Sequence, residues 1–464
     1  STRYQRKAKL KIDLDREAAY KALLAIEREG SYSNLELSKL LNGDEILNKG
    51  FIREIVYGVI ENKIYIDYIL DKFIKKGAHK TKLQALIILR MGVYQILFMN
   101  SVPNYAAVNE SVALTRRFAK GMDGFINGVL RNFIRNIDSA SEVDLADRLE
   151  YLSIRYSCRI ELVEELVNML GFEHTKLLLK HAGKRPPLSI RVNTAKISVE
   201  GLAERLRAKG FDAQESKLSD RVLIVKGGAL TETNEYKEGL FSIQSEESCA
   251  IADFADAKSA ELVIDLCAAP GGKTAAMAEQ MLKASNMNES RTVTESSTES
   301  GKIIALEIYE HRSALIEATS RRLGLDNIEV KCHDATKQID ELVGKADLVL
   351  ADVPCSGLGV IRRKPEIKYR DEFDFDELVE IQKNILETGS SYVKYGGKLV
   401  YSTCTVNPME NEGIIEDFLA RHDEFISEKE IKLSPFVNGY DGFYMNKLKK
   451  VEGRVPNGCG VQDR

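Results

Sequence analysis

Two thiols stand where thiols could do chemistry. In DLVLADVPCSG, residues 347–357, an apolar run ends at Asp352 and Cys355 follows. In LVYSTCTVNPMENE, residues 399–412, Leu399, Val400 and Tyr401 run into Cys404. A cysteine just past a strand can be a packed core thiol, half of a disulfide, a metal ligand or a nucleophile, and a buried inert thiol is the common outcome. The chain has seven cysteines, odd in number and scattered, with no C-x-x-C pair, so no metal is expected. The stretch STRYQRKAKL has no apolar signal core, and no run of 18 apolar residues occurs. Free thiols in a reducing cytoplasm, with no membrane partner, are the expectation.

A second stretch bears on what the thiols could act with. DLCAAPGGKT follows an apolar run and precedes a helical pattern. GGKT suggests a P-loop, but that pattern needs glycine five positions before Gly272, where Cys267 stands, and no G-x-G-x-x-G occurs. A triphosphate or dinucleotide is disfavoured, while a glycine turn still lets a ligand approach the backbone. The next apolar run ends at Glu307, placed to accept from ribose hydroxyls; the third ends near Asp334, placed for an adenine amino group. Either carboxylate alone is more often a cap or loop group. As an ordered set they suit a nucleoside without phosphates, and S-adenosyl-L-methionine fits.

A methyl donor beside thiols points to methylation of a ring carbon. Cytosine C5 is a weak nucleophile until a thiolate adds to C6. C5 then gains enamine character, takes the methyl group and loses its proton, and the thiol is eliminated. An acid near ring N3 would stabilise charge developing during addition. Cys404, Cys355 and Asp352 are three candidates of the right kind. DVPC also differs from the Asn/Asp-Pro-Pro-aromatic motif of amino-nitrogen methylation.

These groups need a frame, and 464 residues with 44% hydrophobic content can build several domains. Residues 1–140 read as helices only, an all-helical bundle. LQALIILRMGVYQILFM, broken by Arg90, reads as a buried helix with Leu83, Leu86, Ile87, Tyr94 and Leu97 on one apolar face. Residues 141–240 read as a small α+β connector: helices with a turn near Gly171, then strand, helix and strand. From 241 to 464 strands alternate with helices: ELVIDLC, KIIALEI, IEVKCHD, ADLVLADV and GKLVYST. That rhythm predicts a doubly wound, mostly parallel α/β sheet whose ligands bind beyond the carboxyl ends of the strands. GFYMNKLKK reads as a further antiparallel strand near the sheet edge, and the polar stretch 282–301 as an exposed loop. Residues 1–136 hold 23 Lys and Arg against 14 Asp and Glu on a chain of net charge −4. A basic first domain, with Arg116, Arg117, Lys120, Arg131 and Arg135, suits a polyanion; a solvated helical surface is the alternative.

DLCAAPGGKT, DVPCSGLGVIRRKPEIKY and YSTCTVNPMENE resemble the motifs of RNA cytosine-C5 methyltransferases, and PNYAAVNESV with FINGVLRNF resembles a NusB-like RNA-binding domain. That fusion is similar to the RsmB/Sun family of small-subunit (16S) ribosomal RNA methyltransferases, over nearly the whole chain. The resemblance implies a NusB-like bundle, a connector and a Rossmann-like S-adenosyl-L-methionine-dependent methyltransferase domain. It implies Cys404 as nucleophile on C6, Cys355 in proton loss and product release, and Asp352 between cofactor and base. Cys267, Ala268, Ala269, Pro270, Gly271, Gly272 and Lys273, with Glu307 and Asp334, would hold the cofactor, and Lys273 would also face the reaction. Arg362, Arg363 and Lys364 would meet RNA phosphates. A monomer acting on small-subunit RNA is expected. Transfer RNA is the alternative substrate; an assembly or antitermination factor with an inactive methyltransferase body is the alternative class. Three features depart from the family: Glu307 in place of Asp, YSCRIELV in place of His-Pro-x-Trp in a chain without Trp, and the long 282–301 stretch.

Overall fold

The computed structural model describes residues 13–29, 48–289, 301–370 and 373–452. The chain forms two compact units: residues 1–184 with 361–371, and residues 185–360 with 372–464. The helical part of the expected connector therefore stays with the bundle, and its strands join the α/β body. Residues 361–371, which follow Cys355 in the chain, belong to the helical unit.

In the helical unit the described helices are α1 (Leu14–Glu29), α2 (Lys49–Glu61), α3 (Lys63–Asp71), α4 (Leu83–Phe98), α5 (Asn104–Phe118), α6 (Asp123–Arg135), α7 (Ile137–Ser141), α8 (Arg148–Tyr156), α9 (Ile160–Leu170) and α10 (Phe172–Ala182). α4 is the buried helix expected, and its buried surface extends beyond the one apolar face read from the sequence. Every residue from Ala85 to Gln95 is buried, because α1, α2, α3, α5 and α6 all pack on this helix. Its one charge, Arg90, is 5% exposed. Asp67 of α3 receives its Nε and Nη2 at 2.8 and 2.7 Å, and Glu27 of α1 receives Nη1 at 3.0 Å. The guanidinium thus ties three helices together. Gly58 of α2 has no room for a side chain, since a Cβ there would lie 1.9 Å from the Tyr94 ring. The turn at Gly171, with φ 78°, separates α9 from α10.

Residues 361–371 are held in the same unit by backbone carbonyls. Lys368 Nζ donates to Glu61 and Tyr156 oxygens at 2.7 and 3.0 Å, and Tyr369 Oη donates to Ile60 O at 2.5 Å. Burial brings the Lys368 ammonium down to about 8 and pushes the neighbouring Cys158 thiol up to about 12. Cys158 and Tyr156 lie in the divergent YSCRIELV stretch, which here serves packing.

The second unit contains two sheets. The smaller has the antiparallel order β2-β3-β1-β4, from β1 (Ser189–Val192), β2 (Asp212–Glu215), β3 (Val222–Lys226) and β4 (Phe241–Ile243), with α11 (Val199–Ala208) packed on it. β2 is too polar and β4 too short to show as strands in sequence. The larger sheet has the order β10-β11-β9-β8-β5-β6-β7. Its strands β5 (Leu262–Asp265), β6 (Lys302–Glu307), β7 (Ile328–Cys332), β8 (Ala346–Asp352) and β9 (Val393–Thr403) are parallel and match the five expected runs. The described helices flanking them are α12 (Glu246–Ala255), α13 (Gly272–Glu289), α14 (Glu310–Leu323), α15 (Phe375–Tyr392) and α16 (Glu412–Arg421). The chain order reverses between β5 and β8, which opens the ligand crevice of such sheets there. β11 (Phe443–Lys450) is antiparallel and near the sheet edge, as expected, one strand in from it. The edge strand is β10 (Phe425–Leu433), whose exposed SEKE charges hid it as a strand. The polar stretch from 282 continues α13 to Glu289, which corrects the expected loop there; residues 290–300 lie outside the described residues. No described helix is long and apolar enough to cross a membrane.

Removing one partner from a buried ion pair strands the other charge. Asp67→Ala is therefore expected to destabilise the helical unit by about 3 kcal/mol. Urea unfolding of the whole chain followed by far-UV circular dichroism reads this as an earlier first transition; an unchanged midpoint would show that Glu27 alone satisfies Arg90.

Candidate active site at the carboxyl edge of the sheet

β8 and β9 pair in parallel with Asp352 opposite Ser402. The loops leaving them therefore start at the same level, and Cys355 and Cys404 meet with their sulfurs 3.2 Å apart. Cys404 N–H also donates to Cys355 Sγ at 3.3 Å, and Gly359 N–H donates to Cys404 O at 3.1 Å. The Cys355 thiol is pushed well up, first by its hydrogen bond to Cys404, then by burial and the nearby Glu410 carboxylate.

One carboxylate that the sequence reading passed over joins the two loops. Glu410 is fully buried. Its Oε1 accepts from Ser356 N–H at 2.8 Å and Gln382 Nε2 at 3.0 Å. Its Oε2 accepts from Ser356 Oγ at 2.6 Å and Asn407 Nδ2 at 3.1 Å. Gln382 also donates to Pro354 O at 2.9 Å, and Tyr401 Oη to Glu410 O at 2.6 Å. A buried carboxylate with four donors is a rigid junction, and both thiol loops hang from it. The signal was faint: a glutamate among polar residues directly after a strand.

Beside the sulfurs, Lys273 Nζ donates to Asp352 Oδ2 at 2.6 Å, and Ser402 Oγ to Oδ1 at 2.8 Å. Burial pulls the Lys273 ammonium down, but the charges of Asp352, Cys404 and Asp265 outweigh it and the net shift is upward. Lys273 is a standing cation within electrostatic reach of Cys404.

The DLCAAPGGKT turn runs from β5 into α13. Ala269–Pro270 is cis, and Gly271 has φ 98° with a Cβ position 3.1 Å from Ile316 Cα, so only glycine fits. Asp265, not singled out in sequence, is pushed up to about 7, chiefly by burial and in part by Asp352, against a hydrogen bond from Thr274. Its Oδ1 is buried and has no hydrogen-bond partner. Burial, with the charges of Asp265, Asp352 and Glu307, raises the Cys267 thiol well above its ordinary value. Glu307, 4% exposed, accepts at Oε1 from Tyr309 N–H at 3.1 Å and Arg312 Nη1 at 3.4 Å; Arg312 Nη2 also donates to Ala269 O at 3.2 Å. Asp334 Oδ1 accepts from Thr336 N–H and Oγ1 at 3.0 and 2.7 Å, which holds its carboxyl below the usual range. Cys267, Ala268, Ala269, Gly272, Lys273, Glu307 and Asp334 thus lie at the ends of β5, β6 and β7, along one edge of the sheet.

The turn is supported from below. Arg191 of β1 and Glu279 of α13 are both 0% exposed and form a two-bond pair at 2.9 and 2.8 Å. Arg191 Nη1 also donates to Gln244 and, at 2.6 Å, to Gly272 O. The small sheet thereby fixes where the helix after the glycine turn begins.

The basic residues expected to meet RNA divide by surroundings. Arg117 pairs with the buried Glu17 at 2.5 Å, Arg116 faces Asp123 at 3.8 Å, and Arg131 bonds Asn127 at 2.8 Å. Lys120 is exposed; Arg131 and Arg135 line one shallow cavity with Tyr105, which is 71% exposed. Arg362 is buried, Arg363 half-buried and Lys364 exposed, all three in the helical unit.

Comparison with known proteins agrees with this architecture. Residues 14–135 match the NusB family, 162–230 an RsmF/B-like ferredoxin-like domain, and 253–449 the 16S rRNA methyltransferase RsmB/F family. The probable ribosomal RNA small subunit methyltransferase B of Bacillus subtilis is 34% identical over 94% of this chain and 98% of its own length. The crystal structure of PH0851 covers 95% of this chain and 100% of its own at TM-score 0.73 and 26% identity. A methyltransferase homolog from Pyrococcus horikoshii covers 66% of this chain and 100% of its own at TM-score 0.56 and 26% identity. The chain belongs to the ribosomal RNA small subunit methyltransferase B family.

Proposed function

We propose that this protein methylates C5 of a cytosine in small-subunit (16S) ribosomal RNA, using S-adenosyl-L-methionine, through a transient bond between Cys404 and C6. The observation that carries this reading is the pair of thiols 3.2 Å apart beside the Lys273–Asp352 ion pair.

The residues at the glycine turn fit the cofactor. Asp265 Oδ1 is a buried acceptor lacking a donor, as an ammonium group would require. Glu307 uses Oε1 within the protein, which leaves Oε2 for a ribose hydroxyl, and its extra methylene relative to Asp is absorbed by the turn to Tyr309 and Arg312. Cys267 to Gly272 would present backbone to the ligand, and Asp334 would take the adenine end. When bound, S-adenosyl-L-methionine supplies an electrophilic methyl group.

The chain's own groups divide the remaining work. Cys404 adds to C6 as the thiolate, with the Lys273 ammonium favouring that charge. Asp352, fixed by Lys273 and Ser402, faces the ring nitrogen and amino group. Once C5 carries the methyl group its proton must leave before the C6–S bond breaks. Cys355, next to Cys404, serves that step directly or through water, and release returns Cys404 as a free thiolate. The base must be unpaired or flipped for C6 to reach the sulfur.

Cys404→Ala is expected to abolish transfer of labelled methyl groups to ribosomal RNA, and Cys355→Ala to accumulate a covalent protein–RNA adduct on denaturing gels. Methyl transfer surviving in Cys404→Ala would overturn the covalent mechanism. Bisulfite mapping of RNA from cells with and without the gene places the mark; loss from transfer RNA alone would move the substrate.

Glu410→Gln removes an acceptor from the junction under both thiol loops. Because sub-ångström misplacement of reacting atoms is costly, kcat is expected to fall about 10²-fold. Single-turnover assays at saturating cofactor and RNA read this. Wild-type kcat would show that the loops hold without the carboxylate.

A further inference from the structure

The loop between β10 and β11, residues 434–442, takes no part in the proposed chemistry, yet it meets both thiol loops. β11 runs antiparallel to β9 with Tyr444 opposite Thr403. The loop before β11 therefore lies at the carboxyl end of β9, where Cys404 stands. It is closed on itself: Asn438 and Gly439 N–H both donate to Ser434 O at 3.1 Å, and Ser434 N–H donates to Asn438 Oδ1 at 3.0 Å. A loop packed on its own groups is a compact body and can act as a brace.

Its last residue comes closer to the Cys355 loop than any side chain would allow. Gly442 N–H donates to Gly359 O at 2.8 Å, and Gly359 N–H donates to Cys404 O at 3.1 Å. A Cβ on Gly359 would collide with Gly442 O. One on Gly442 would lie 2.6 Å from Gly359 Cα and collide with Val406 of the Cys404 loop. The two glycines are thus fitted to each other by close approach of backbone to backbone. Beyond Gly442, Asp441 N–H donates to Glu247 Oε1 at 3.1 Å, and both residues are 0% exposed. Glu247 stands in the first turn of α12.

A buried carboxylate that only closed a loop would end its influence there. This one continues through two backbone groups to the carbonyl of Cys404. Cys404 is held at both backbone atoms, its N–H by Cys355 Sγ and its C=O by Gly359. Glu410 does not supply the second of these, since it binds Ser356, Gln382 and Asn407. We propose that Glu247 is a positioning residue for Cys404: through Asp441, Gly442 and Gly359 it fixes the Cys404 carbonyl and so aims the sulfur at C6 of the base. The proposal rests on the reading of Cys404 as the nucleophile on RNA and adds what aims it.

The test uses the full chain, with hydrogen exchange read by mass spectrometry, calorimetric titration with S-adenosyl-L-homocysteine and methyl transfer to ribosomal RNA. Glu247→Ala removes the acceptor; Gly442→Ala leaves Glu247 in place and wedges the loops apart. In both, amides of residues 356–360 and 403–407 should exchange faster while S-adenosyl-L-homocysteine binds as in wild type. The kcat should fall about 10²-fold with the KM for RNA unchanged, because ångström-scale misplacement of a reacting atom costs rate and not affinity. Adduct formation on 5-fluorocytosine-substituted RNA should slow in the same proportion, the reverse of the accumulation expected for Cys355→Ala. Glu247→Gln keeps an acceptor for Asp441 N–H and should recover most of the loss. Val437→Ala, at the exposed tip of the loop, should match wild type throughout. Wild-type kcat in both Glu247→Ala and Gly442→Ala overturns the proposal. So does a raised KM for RNA with kcat intact, or an equal loss in Val437→Ala, either of which would make the loop a substrate contact. Lost S-adenosyl-L-homocysteine binding in both variants also overturns it, by showing general support of the fold. If exchange rises in the variants but wild type transfers no methyl group, the link to Cys404 stands and the methylation reading falls; if wild type methylates and the variants match it, positioning alone falls.

Discussion

The parallel pairing of β8 with β9, with Asp352 opposite Ser402, is the constraint from which the candidate site follows. A slip of one residue would turn every side chain of one strand to the other face, and the two thiols would part. The register is defended on both sides. β5 lies against β8, and the antiparallel β11 lies against β9, with Thr403 opposite Tyr444, so both strands are interior. Past the strand ends the backbone ladder stops, and Glu410 takes over the task of joining the loops. The sulfur contact is the sum of a sheet register and one buried carboxylate.

A second buried charge does comparable work for the glycine turn. Arg191 and Glu279 are both removed from water, a costly arrangement unless every hydrogen bond is made. Here Arg191 spreads its donors over Glu279, Gln244 and the Gly272 carbonyl. Arg221, directly before β3, bonds Asp253 of α12 and, at 3.0 Å, the Ala276 carbonyl of α13. These pairs explain why residues 185–240 form one compact unit with the methyltransferase sheet. A spacer would not bury two arginines in its neighbour.

Charge in the helical unit shows why composition alone misplaces a binding surface. The excess of Lys and Arg is real, yet Arg90 and Arg117 are occupied by acidic partners from distant helices. What can attract a polyanion is the charge left after such pairing, and that residue of charge is a property of the folded surface.

Much was legible from the chain itself. The parallel strands β5, β6 and β8 and the second half of β9 are buried on both faces and so read as continuous apolar runs bounded by turns, which is why they and the polar groups after them could be ordered from the sequence. The glycine turn was legible because only glycine tolerates its backbone, and Cys355 and Cys404 because reactive residues after strands are few. The edge strand β10, the short strands β2 and β4 and the partition of residues 141–240 were not. Nor were Glu410, Asp265 and Arg191 as participants. Each of those depends on contacts between segments 9 to 88 residues apart. Local sequence sets periodicity and turn chemistry; which buried charge meets which partner, and which cation remains unpaired, is decided only when distant segments pack and water is excluded between them.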